Sequence, residues 1–169
     1  MEIKPTIGLG RVTFDFSPIE VNALMGKPTH RDMLVDEALA YGHLAFHFDK
    51  SDASGPLPDA KMEMISISEG YPARLFGEDP FTMTGKALQE LLSHNGIESK
   101  WYDKQKELLS ATGCLEVRFD METELPTEIE LYPASTTLSY EKRDAYYSRP
   151  KPPKAWSPLQ FIRRLLGAS

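Results

Sequence analysis

Two histidines stand four residues apart in "GHLAFHFD", Gly42–Asp49, and with the lone thiol of Cys114 they are the residues whose types invite a chemical role. On a helix, His43 and His47 would sit about one turn apart and suit a single zinc ion. On a strand they share a face but lie about 13 Å apart, at roughly 3.3 Å per residue, too far to hold one metal without a third element between them. The alternation of Leu44, Phe46 and Phe48 against His43, Ala45 and His47 decides for the strand. A Cys114–His43 nucleophile pair requires the strands that carry them to be neighbours; otherwise Cys114 is a small residue of the core.

Other chemistry-bearing patterns fall short in the same way. The "GLG" at residues 8–10 is followed by a strand pattern and lacks a third glycine, so it does not make a dinucleotide loop. No Walker, HExxH or GxSxG sequence occurs. The carboxylates of "EDP" and "DMETE" fall in turn-rich stretches, where solvated charge is their ordinary state. The expectation is therefore no catalytic residue, no metal and no cofactor.

The elements that position these residues follow from local pattern. Val12, Phe14 and Phe16 alternate with polar neighbours as in a strand. In "SPIEVNALMGKP", Ser17 caps a helix, Pro18 occupies its first position and Gly26 with Pro28 ends it, with Ile19, Val21, Leu24 and Met25 as the buried stripe. "KMEMISIS" supplies a strand that forms a hairpin with Glu37–Asp49, with Met62, Met64 and one of Ile65 or Ile67 inward. Leu88, Leu91 and Leu92 recur at helical spacing in a helix that stops at Asn95-Gly96, and a second helix is predicted in "SKWYDKQKELLSATG".

"GCLEVRFD", Gly113–Asp120, repeats "GHLAFHFD" at Gly, Leu, Phe and Asp, 71 residues further on (42 to 113). The strand "TEIELYP" follows it, with Ile129 and Leu131 alternating against Glu128 and Glu130. The return reads either as two αββ units, about 17–69 and 84–133, or as chance agreement over eight positions. The fold class expected is α+β, an antiparallel sheet packed with helices over residues 1–149. Beyond it, "RPKPPK" reads as a stiff basic linker, and Leu159, Ile162, Leu165 and Leu166 as one side of a short amphipathic helix within 150–169.

With 169 residues the chain is long enough for one real core. Its net charge of −6 and pI near 5.3 disfavour a nucleic-acid backbone as ligand and suit a basic protein partner. One cysteine excludes a disulfide framework. No apolar run approaches the roughly 20 residues of a membrane span, and "MEIKPTIGLG" is too polar for a secretory leader, so a cytoplasmic protein is expected.

The segment Ile7–Pro28 carries a Gly-x-Gly strand and then Ser17, Glu20, Val21, Leu24, Gly26 and Pro28 in a Ser-x-x-Glu-Val-x-x-Leu-x-Gly-x-Pro helix, and "LFG" at 75–77 precedes the Leu-rich helix. Over about the first 95 residues this resembles small bacterial immunity proteins encoded beside polymorphic or contact-dependent toxins. The helix is also similar to that of small outer-membrane assembly lipoproteins, from which the chain departs in having no lipidated cysteine. The immunity resemblance implies a non-catalytic binder whose partner is a cognate toxin domain. Glu69, Tyr71, Arg74, Glu78 and Asp79, in the loop between the two halves, are the expected contact residues, since they combine an aromatic with both charge signs on a rigid scaffold. The alternatives are a regulatory or assembly module docking through the C-terminal helix and, third, a small enzyme built on Cys114 or the two histidines.

Overall fold

Gly8 shapes the first element. In the computed structural model, which describes residues 1–29, 38–52, 54–135 and Asp144, Glu2–Lys4 (β1) pairs antiparallel with Gly8–Leu9 (β2), and β2 with Val12–Thr13 (β3). Gly8 has φ 147°, and a Cβ there would lie 2.1 Å from the Val12 carbonyl oxygen, so only glycine permits this pairing. The strand expected to run to Phe16 ends at Thr13, and Phe14 and Phe16 pack on the core from the following turn.

Helix α1, Pro18–Met25, opens on a capping box: the Ser17 side chain accepts from the Glu20 N–H, and the Glu20 carboxylate accepts from the Ser17 N–H at 2.8 Å. Val21 is buried and Leu24 and Met25 pack partly on the core, but Ile19 is 61% exposed. Two residues turn a helix by about 200°, so Ile19 lies opposite Val21 and cannot share its stripe.

Next come β4 (Ala38–Ala40), β5 (Leu44–Phe48), the small ribbon β6 (Ser51–Asp52) and β7 (Gly55–Pro56), and β8 (Met62–Ser68). Leu44, Phe46 and Phe48 are fully buried, as their alternation requires. Met62, Ile65 and Ile67 face the same core, whereas Met64 turns to the other face. The register of the β5–β8 pair shifts between His47 and Phe48, and this bulge lets Met62 and Ile65 point the same way although three residues apart.

After β9 (Arg74–Leu75), which lies parallel to β1, and a single 3-10 turn at Pro80–Thr82, helix α2 spans Gly85–His94 with Leu88 and Leu92 fully buried. The helix predicted over "SKWYDKQKELLSATG" is instead a hairpin of β10 (Ser99–Tyr102) and β11 (Glu107–Ser110). Trp101 and Tyr102 favour a pleated, half-buried surface, and Lys106, at φ 52°, closes the turn. Strands β12 (Leu115–Phe119) and β13 (Pro126–Leu131) follow.

The fold is α+β with strands dominating. Among the described residues its main sheet has seven antiparallel strands in the order β10-β11-β12-β13-β8-β5-β4. One face carries the core: Phe46, Ile65, Ile67, Val117, Ile129 and Leu131 cluster there with Ile3, Leu9 and Leu75 of the small sheet and with Leu88 and Leu92 of α2. The two hairpins that share the repeated motif, β5–β8 and β12–β13, lie side by side, joined through β8 and β13. Strands also stand between helix and hairpin in each half, β4 in the first and β10 and β11 in the second, where αββ was expected. The C-terminal linker and helix expected over 150–169 lie outside the described residues.

Candidate functional site

The two hairpins match in register. Ala45 pairs with Ser66 and His47 with Met64 in the first, as Glu116 pairs with Glu130 and Arg118 with Glu128 in the second. Each has its register shift just after the matching residue, between His47 and Phe48 and between Arg118 and Phe119. Across the centre Ser66 pairs with Glu130, flanked by Ile65–Leu131 and Ile67–Ile129. Exchanging the hairpins therefore maps the Ser66–Glu130 pair onto itself, and a local two-fold axis passes through it.

On the polar face this symmetry of backbone carries very different side chains. In the second half, Arg118 donates from Nη1 to Glu128 Oε2 at 2.8 Å, and its Nη2 lies 3.0 Å from Glu130 Oε1 and 3.4 Å from Glu116 Oε1. The Tyr132 hydroxyl donates to the other Glu130 oxygen at 2.5 Å. Glu116 and Glu130 are buried, at 1% and 5% exposure. Burial pushes the Glu130 carboxyl above its ordinary value, against the opposing pull of the Tyr132 hydrogen bond and the Arg118 charge. Burial and the adjacent carboxylate raise the Tyr132 phenol as well, while burial alone would lower the Arg118 guanidinium and the charges of Glu130, Glu128, Tyr132 and Glu107 together hold it above its ordinary value.

The first half is small where the second is charged. Ala45 and Ser66 stand at the positions of Glu116 and Glu130, and His47 at that of Arg118, its Nε2 3.1 Å from Ser66 Oγ. The difference in side-chain volume opens a cleft of about 340 Å³, lined by Ala38, Ala45, His47 and Ser66 on one side and by Glu128 and Glu130 on the other. His43 is exposed at one end of it, with its ring against Gly70.

In a larger groove of about 540 Å³, lined by Phe14, Phe16, Asp49 and Asp59 among others, Asp49 accepts the Lys61 N–H and Asp59 meets Lys50. At the start of α2, Lys106 joins Asp103 and Glu124 beside Trp101. Among the described residues, no three His, Cys, Asp or Glu side chains come together as a metal site. No helix among them is long and apolar enough to cross a membrane.

His43 and His47 lie on the polar side of their strand, as their spacing requires. Cys114 does not meet His43: β12 and β5 are separated by β13 and β8, about 14 Å at the usual strand spacing. The thiol is buried, 2.7 Å from Thr112 Oγ1.

The five loop residues are split. Glu69 follows β8 at the end of the cleft, next to Ser68, and its N–H bonds the Thr127 carbonyl. Tyr71 is half-buried against the core with its hydroxyl 3.2 Å from Met1 Sδ. Arg74 and Asp79 approach to 3.9 Å across the turn that holds Glu78, and Asp79 also caps the 3-10 turn through the Phe81 N–H. Sequence reasoning missed Arg118, Glu128, Glu130 and Tyr132 as a group. The one signal for them was the repeat, in which the polar positions of the two copies differ in charge. Comparisons with protein-family models, with curated proteins and with solved structures give no match for this chain.

Proposed function

We propose that this protein is an immunity protein, a non-catalytic binder that neutralises a cognate bacterial toxin by covering it. Its contact surface is the polar face of the seven-stranded sheet, and the complementary toxin surface is basic. The observation that carries this reading is the sharing of one guanidinium, Arg118, among Glu116, Glu128 and Glu130, the last two on the wall of a cleft. The arrangement leaves an excess of carboxylate on a rigid sheet, where little ordering entropy is lost on association and opposite charge on a partner speeds encounter and fixes register. The chain's net charge of −6 and the resemblance carried by Ile7–Pro28 support the same reading.

Co-expression of the chain with the product of the gene immediately upstream tests it. The reading expects growth to be restored and a complex that survives gel filtration. Undiminished toxicity with no complex would overturn it.

A further inference from the structure

The geometry points to the cleft between His47/Ser66 and Glu128/Glu130 as a socket for one arginine side chain of the protein partner. This rests on the binding reading above and specifies its chemistry.

Three observations carry it. The first is room: the local two-fold relates a filled half to an emptier one, and the cleft of about 340 Å³ stands where Ala45 and Ser66 replace Glu116 and Glu130. The second is the nature of the wall. Glu128 and Glu130 line the cleft, and the Arg118 that meets Glu128 Oε2 and Glu130 Oε1 also meets Glu116, so a second guanidinium entering the cleft would add balancing positive charge to its wall. The third is the remaining lining. Ser66 Oγ accepts as well as donates, and the small floor of Ala38 and Ala45 leaves space for the flat alkyl stem and planar fork of an arginine. A carboxylate or phosphate would face Glu128 and Glu130 directly and be repelled. A large apolar side chain would strip water from both carboxylates without replacing it.

The test titrates the full chain, labelled with ¹⁵N, with argininamide and with citrullinamide, its neutral isostere. The proposal expects saturable shifts of the amide signals of Ala45, His47, Ser66 and Glu128 with argininamide, at millimolar concentration, and none with citrullinamide. Glu128→Gln should weaken argininamide roughly fivefold or more, and Ala45→Leu, which fills the cleft with an apolar side chain, should abolish the shifts, each with the rest of the spectrum unchanged. Equal response to both amides, shifts spread over the acidic surface, or no response would each overturn the proposal. The toxin assay separates this from the parent reading. If a toxin complex forms and its affinity is untouched by Glu128→Gln and Ala45→Leu, the socket is wrong and the immunity reading stands. If argininamide binds as described but the upstream product does not, the socket stands and the immunity reading falls.

Discussion

Ser66 and Glu130 face each other across β8 and β13, and this pair alone stays in place when one hairpin is exchanged for the other. A hydroxyl and a carboxylate thus occupy equivalent positions on either side of a local two-fold axis. The backbone symmetry sets the register of the sheet, and the side-chain asymmetry makes a cleft beside a charged wall.

The register of β5 predicts opposite outcomes at adjacent residues. Phe46 is fully buried, so Phe46→Ala should cost about 3–5 kcal/mol through lost burial and the cavity left behind. His47→Ala, on the polar face, should cost about 1 kcal/mol or less through the bond to Ser66. Chemical denaturation of the two variants measures both; similar losses would show the face assignment to be wrong.

Glu130 should impose a distinctive pH dependence. Its folded carboxyl lies above its ordinary value near 4.5, so the folded state holds this proton more tightly than the unfolded chain. Its contribution to stability is fully present below about 4.5 and is lost as pH rises through the raised folded value. The hydrogen-bonded Asp120 and Glu20 carboxyls are lowered, and they act in the opposite sense, their contribution disappearing as pH falls. Stability should therefore climb out of strong acid and then decline above it. Glu130→Gln should remove the decline and leave the climb, as followed by thermal melts across pH; a decline of equal size in the variant would assign it to another group.

Gly8→Ala should destabilise the small sheet by about 1–3 kcal/mol, because the new Cβ meets backbone that has no rotamer to yield. Gly26 offers a contrast, since a Cβ there meets nothing within 4 Å, although its φ of 84° still favours glycine. Urea midpoints of Gly8→Ala and Gly26→Ala should rank in that order, the Gly8 variant being the less stable.

Much of this fold is written in local pattern. Ser17, Pro18 and Gly26 mark α1, and Leu44, Phe46 and Phe48 mark β5, because capping and period-2 alternation act over a few residues. Nothing local separates hairpin from helix over 99–110, because Leu108 and Leu109 are adjacent apolar residues that either structure buries, while the pairing of Trp101 with Leu108 is a contact between strands that local periodicity does not encode. That Met64 turns outward while Met62, Ile65 and Ile67 all face the core depends on a bulge, which leaves no mark in hydropathy. The candidate site was legible only in part. Its histidines could be placed on the polar face, but the meeting of Arg118 with Glu128 and Glu130 depends on pairing, and the loop residues Tyr71 and Asp79 turned out to serve the fold as a core-packing ring and a cap.

The claim that the polar sheet face is the binding surface is tested most directly by the dissociation constant of the complex with the upstream-encoded toxin, measured for the wild type and for Glu128→Lys. Reversing the charge on the cleft wall should weaken the complex roughly tenfold or more, about 1.4 kcal/mol, while the variant retains a cooperative melt. A dissociation constant within about twofold of the wild type, in a variant that folds, would contradict the account.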